Sequence, residues 1–214
     1  MRAARILDRL HWGRNIAARI LGEPAIAFRP RDAGDPVAPA NRYLRIPAIF
    51  TPVGGGMDKP MGYGVALFTG VFDASYTRPG DYLVQGDRTW FIASQDAMLP
   101  SLCVETNRIV AFARPAQPVS TGANPYSGVT AASSRALTGP WPASVLGMSS
   151  GGSSGAGLPT DMSVAYWTVL LPPIPGVMLA VSDLMSDDIG RKGVIASAEL
   201  TRLGWRLTVR EAST

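Results

Sequence analysis

One cysteine, one histidine and no apolar run of membrane length leave this 214-residue chain few routes to chemistry. Cys103 alone cannot form an internal disulfide, and the absence of any CxxC pair excludes zinc-ribbon and iron–sulfur ligand sets. Its setting, Leu102-Cys103-Val104, reads as a buried strand thiol. His11 has no second histidine for a metal site, and any nucleophile–histidine–acid triad would depend on it. HExxH, GxSxG and GxxxxGK[ST] are all missing, and Gly151-Gly-Ser-Ser-Gly155 lacks the lysine of a phosphate loop. No window reaches membrane-spanning length, and Arg5, Arg9, Arg14 and Arg19 interrupt residues 1–22, so neither a span nor a secretory signal is expected.

Charge is also scarce, at 17% of residues, and its placement is uneven. Residues 1–45 hold nine Arg and four acids, whereas the remainder is close to balanced. An arginine-only basic arm suits bidentate contacts with carboxylates or phosphates, although codon bias gives the same excess without a function. The remaining route to catalysis is paired acids: Asp81 with Asp87, and Asp183 with Asp187 and Asp188. Such pairs can hold a cation or work as acid and base, but acids beside glycine turns more often accept backbone N–H bonds. Turn chemistry is the expectation here, with no cofactor, no metal and no enzymatic activity.

What the chain does have is repetition. Residues 78–94 read Arg-Pro-Gly-Asp-Tyr-Leu-Val-Gln-Gly-Asp-Arg-Thr-Trp-Phe-Ile-Ala-Ser. Residues 181–197 read Val-Ser-Asp-Leu-Met-Ser-Asp-Asp-Ile-Gly-Arg-Lys-Gly-Val-Ile-Ala-Ser. Each runs from an acidic turn at Gly80-Asp81 or Ser182-Asp183, through a short extended stretch and a glycine turn at Gly86 or Gly190, to a strand ending Ile-Ala-Ser. Such a recurrence signals a repeated supersecondary unit. The 23 Gly and 18 Pro favour turns and short strands, and 46% hydrophobic residues suffice for a core.

The spacing therefore predicts a mainly β chain: two small β-barrel or sandwich-like units in tandem behind an N-terminal amphipathic helix. The expected division is 1–42 as helix and extended arm, 43–114 as first unit, 115–139 as linker or arm, and 140–214 as second unit. Apolar residues recur at helical spacing over 2–21, and Gly22-Glu23-Pro24 stops the run. Too few partners exist for that helix inside a small β unit. It is expected to dock on another chain through Ile6, Leu10, Ile16 and Ile20, with Arg9, Arg14 and Arg19 facing acids or phosphates; packing back on its own barrel is the alternative. Gly80, Asp81, Gly86, Trp90, Asp183 and Gly190 are expected to be structural. Residues 149–157, nine small residues of Ser, Gly and Ala, offer almost no side chain for specific binding.

The run Pro79-Gly-Asp81-Tyr-Leu-Val-Gln-Gly86-Asp-Arg-Thr-Trp90-Phe-Ile-Ala-Ser-Gln95, followed by Leu102-Cys-Val-Glu-Thr-Asn107-Arg108, resembles small β-barrel proteins from the neck or tail of tailed bacteriophages, the head-closure or stopper family among them. Residues Asp183 to Val209 resemble the same pattern more loosely, with Ser182-Asp183 in place of Gly-Asp. The resemblance covers around a third of the chain; the helix, the 115–139 segment and the tandem arrangement lie outside it. It implies a non-enzymatic virion subunit, made in the host cytoplasm, that forms a cyclic homo-oligomeric ring. Such a ring closes the genome channel and contacts portal, adaptor or tail proteins, with packaged DNA nearby and no membrane. The alternative is an oligonucleotide-binding barrel using Trp90, Phe91, Arg88 and Arg108; a hydrolase built on the acids comes third.

Overall fold

The computed structural model describes residues 2–53, 66–115, 134–148 and 165–212. The Gly54-Gly55-Gly56 turn, the start of the strand expected from Tyr63, most of the 115–139 segment and the 149–157 loop lie outside the described residues.

Helix α1 (Arg2–Leu21) forms as expected and stops at Gly22, whose N–H closes the last helical bond on Ala18 O at 2.9 Å. A Cβ on Gly22 would lie 2.6 Å from both Ala18 O and Ala48 O, so the helix end can abut the first sheet only with glycine there. Strands β1 (Glu23–Phe28), β2 (Arg42–Pro52), β3 (Leu67–Val71), β4 (Tyr82–Gln85), β5 (Arg88–Ser94) and β6 (Ser101–Thr106) then close a barrel in the order β1-β2-β3-β6-β5-β4. Pro24 of β1 faces Pro47 of β2, so the two missing N–H donors fall on one residue pair instead of weakening two.

The second barrel repeats the first strand for strand. Strands β7 (Arg108–Pro115), β9 (Trp141–Met148), β10 (Tyr166–Leu171), β11 (Leu184–Asp187), β12 (Lys192–Thr201) and β13 (Gly204–Glu211) occupy the ring positions of β1 to β6, and β7–β11 pairing closes the ring. The short β8 (Ser134–Ala136) is an addition, paired to the end of β7. Even registers agree. Glu23 and Pro24 face Ala48 and Pro47, while Arg108 and Ile109 face Ala143 and Pro142. A bulge follows Ile92 in β5, and another follows Ile195 at the same place in β12.

Strand pairing draws the boundaries elsewhere than 43–114 and 140–214. The irregular arm read over residues 23–42 contains β1, without which the first barrel has no closing strand. Residues 107–114, read as the last strand of the first unit, instead open the second barrel as β7. The junction is Asn107 alone, between β6 and β7, whose side chain bonds the Val145 N–H at 2.8 Å and the Val145 carbonyl at 3.0 Å. Pro172-Pro-Ile-Pro175 stays outside the strands, as expected of donor-poor backbone, and buries Ile174.

Inside the first barrel Trp90 is fully buried, stacked on Phe50 at 3.9 Å and edge-on to Phe68. The pairings place Gly193 of β12 where Trp90 stands in β5, Trp167 where Phe68 stands, and Val169 where Gly70 stands. The first barrel thus buries one tryptophan, Trp90, whereas the second buries Trp141, Trp167 and Trp205 on three other strands, and each has a glycine that clears space for the packing. A Cβ on Gly70 would meet Phe72 at 2.7 Å and Cys103 Sγ at 2.8 Å; on Gly193 it would meet Val209 at 2.4 Å and Trp167 at 3.1 Å. Alternation sends Phe91, Tyr82, Ala93 and Val104 outward from the first barrel, yet all are buried, because the second barrel packs on that side. Tyr82 Oη donates to Pro142 O at 2.7 Å across this layer, and Trp141 Nε1 donates to Ala33 O at 3.1 Å.

Gly193→Ala is expected to lower the unfolding free energy by about 1–3 kcal/mol through overpacking. Gly13→Ala, in open space on α1, should raise it by up to about 1 kcal/mol. Urea titrations of the two variants test both signs.

Candidate assembly surfaces

Two carboxylates organise the barrels. Asp81, 1% exposed, receives Arg29 Nε at 2.9 Å and Nη2 at 2.7 Å, the Tyr43 hydroxyl at 2.6 Å and the Arg78 N–H at 3.0 Å. Asp183, 2% exposed, receives Arg114 Nε at 2.7 Å and Nη2 at 2.8 Å and the Ala180 N–H at 2.8 Å. Each arginine also reaches a carbonyl on the far side, Tyr76 O or Met178 O. The main chain repeats too: Ile92 and Ile195 donate to the carbonyls of Asp81 and Asp183, and receive the N–H of Gly80 and Ser182. Gly80 takes φ +93° freely, whereas Ser182 adopts φ +74° with a side chain attached, the price of keeping this turn in the second copy.

The electrostatics follow. Hydrogen bonding to Asp81, against the opposing effect of burial, raises the Arg29 pKa, and hydrogen bonding to Asp183 raises that of Arg114. Burial first, and the bond to Asp81 second, push the Tyr43 hydroxyl above its ordinary value. At the far ends of β4 and β11, Arg88 lies over Trp90 at 4.7 Å and pairs with Glu105, while Arg191 lies over Trp167 at 4.8 Å and pairs with Asp187. Each arginine closes one mouth of its barrel over the core tryptophan.

Asp81 and Asp87 stand at opposite ends of β4, Asp183 and Asp187 at opposite ends of β11, so the proposed acid pairs are not brought together. Asp187 instead accepts the N–H groups of Ile189 and Arg191, and Asp87 is exposed at the Gly86 turn. Gly86 and Gly190 hold φ +61° and +86° in those turns. Among the described residues no group of three or more His, Cys, Asp or Glu could hold a metal ion. His11 Nδ1 is buried without a partner among them, and burial lifts the Cys103 thiol well above its ordinary pKa.

Helix α1 lies on its own barrel, against β2 and β3, with Ala18 fully buried. Of the residues expected on a docking face, Leu10 is half-buried beside the barrel and Arg14 donates to Met98 O at 2.9 Å, so both are engaged within the chain. Ile6, Arg9, Leu10 and Arg14 do come together, lining with Val71 an open groove of about 550 Å³. Ile16, Arg19 and Ile20 point away from the barrel, joined by Trp12, which is 67% exposed.

Sequence reasoning missed Arg29 and Arg114, although a signal existed. Ala25-Ile-Ala-Phe-Arg29-Pro30 and Val110-Ala-Phe-Ala-Arg114-Pro115 are the same strand ending written twice, as are Ile46-Pro-Ala48 and Trp141-Pro-Ala143. No protein-family model, curated protein or solved structure matches the chain.

Asp81→Ala and Asp183→Ala should each cost about 1.5–3 kcal/mol, because each removes a buried acceptor of charge-assisted hydrogen bonds while the arginine left behind stays in contact with water. Glu199→Ala, which breaks the exposed pair with Arg206, should cost under about 1 kcal/mol. Thermal denaturation measures the contrast. For pH, Cys103, Tyr43 and Tyr82 all have raised folded-state pKa values, so their contribution is complete below the ordinary values and is lost as pH rises. Stability should fall from the ordinary thiol value of 9.0 upward, and Cys103→Ala should delay the fall toward the tyrosine value of 10.0.

Proposed function

We propose that this chain is a non-enzymatic structural subunit of the neck or tail of a tailed phage, built into a homo-oligomeric ring that joins its neighbours and closes the genome channel. One observation carries the reading. The outward side of β1, β4 and β5 in the first barrel, through Phe28, Tyr82 and Phe91, lies buried beneath the second barrel. Among the described residues, nothing covers the equivalent side of the second barrel, formed by β7, β11 and β12. There Ala111, Ala113 and Leu184 line an apolar groove of about 320 Å³, with buried Met185 at its floor.

A chain that uses this face once internally and, among its described residues, leaves the duplicate uncovered has the polarity of a heterologous, head-to-tail contact, the kind that closes rings. The tandem barrels, the low charge and the resemblance of residues 79–108 support the same reading. The alternative, a single-strand-binding barrel, needs its aromatic rings at the surface. Trp90 and Phe91 are at most 1% exposed and Arg88 is paired with Glu105, so no stacking platform is presented by those side chains.

Light scattering of the purified chain, alone and mixed with candidate portal and tail proteins, is expected to give a multiple of the subunit mass. Leu184→Asp, at the rim of the open groove, should return the chain to monomer with little change in melting temperature. Monomer under every condition would sink the reading, as would an unchanged oligomer in Leu184→Asp.

A further inference from the structure

We propose that the outer ridge of α1 is a docking site for an acidic amphipathic helix of a different protein. The inference rests on the reading of the chain as an assembly subunit, but it concerns a different surface from the groove on the second barrel. Along the side of α1 turned away from the barrel, Arg5, Arg9, Trp12, Ile16 and Ile20 follow one another at intervals of three and four residues, with Arg19 beside the last. That is the spacing by which one helix lies along another. Trp12 is 67% exposed, Ile16 36% and Ile20 74%.

Charge identifies the occupant. In the barrels Arg29, Arg88, Arg114, Arg191 and Arg206 each pair with a carboxylate. Arg5, Arg9 and Arg19 have no ion pair among the described residues, and all three are exposed. A second α1 is a poor partner, since the helix holds five arginines against Asp8 alone. A bilayer fits badly too, because Arg5 and Arg9 continue the same line as Trp12 and Ile16 and would be drawn into the acyl boundary with them. Nucleic acid would satisfy the arginines and leave the tryptophan and both isoleucines against phosphate. An acidic helix satisfies both sets: apolar side chains meet Trp12, Ile16 and Ile20, and flanking carboxylates meet the arginines. The groove beside the ridge, between Ile6, Arg9 and Val71, gives such a partner a place to seat a large side chain.

The test uses the full chain and a labelled synthetic helix with Leu at the seam positions and Glu at the flanks, against the same helix with Lys at the flanks. Fluorescence anisotropy should show the Glu peptide preferred by about tenfold or more, with the preference shrinking as salt is added. Trp12→Ala with Ile16→Ala should abolish binding, and Arg5→Glu with Arg9→Glu should turn the preference toward the Lys peptide. Both double variants should melt like the parent, since the altered side chains face away from the barrel. Equal binding of the two peptides overturns the inference. So does a Glu preference that survives the arginine reversal, or tighter binding to duplex DNA or to phosphatidylserine vesicles. Subunit mass, read on the same samples, separates the two readings: oligomers without peptide selectivity defeat only the α1 site, and monomers with selectivity defeat only the ring.

Discussion

Everything in this structure hangs on a carboxylate that cannot be left alone in the protein interior. Asp81 and Asp183 are almost wholly removed from water, and an isolated ion there would be very costly. Each therefore demands an arginine, and the arginine comes from the end of the one strand that closes the ring: β1 for Asp81, β7 for Asp183. The two halves of the clasp sit on the strands that meet at the seam, next to the pairs Phe28–Tyr82 and Ala113–Leu184. A register slip would pull the carboxylate away from its guanidinium. The gain from such a buried pair lies more in excluding wrong arrangements than in net stability.

Around that fixed seam the two barrels have diverged where packing permits it. The first barrel buries its one tryptophan on β5, where the second has Gly193, and the second buries tryptophans on β9, β10 and β13 instead. The arginine caps over Trp90 and Trp167 keep their place but take their acids from different strands, Glu105 of β6 and Asp187 of β11. The seam tolerates less variation: Ser182 holds a left-handed backbone for which glycine is better suited, and the hydrogen bonds around it are unchanged.

Much of this was legible in the sequence, for local reasons. The repeat at 78–94 and 181–197 is a contiguous turn–strand–turn–strand unit, so it survives as a readable string. The other half of each barrel is not contiguous with it. The strand endings at Arg29-Pro30 and Arg114-Pro115 are followed by connections of unequal length, since β8 is inserted after β7 only, and the spacing that would align them is lost. The boundary was misplaced because Asn107 is too short a connection to look like a junction, so β7 reads as the hairpin partner of β6. For α1, periodicity located the helix but not its orientation. Two apolar lines run along it, and only the packing of Ala18 on the barrel decides which one is inward. Asp81 and Asp183 were expected as turn residues. That they are also the anchors of long-range ion pairs depends on residues that the topology alone brings near.

The connection through Asn107 has a mechanical meaning. One residue joins the barrels, its amide is tied to Val145 by two bonds, and an aromatic layer of Tyr82, Phe91 and Trp141 fills the space between them. No hinge of ordinary loop length separates the halves, so a push or twist applied to one barrel is handed to the other with little lost in between. A body of this kind behaves as a stiff two-bead strut, and any give in a structure assembled from it must reside in the contacts between struts.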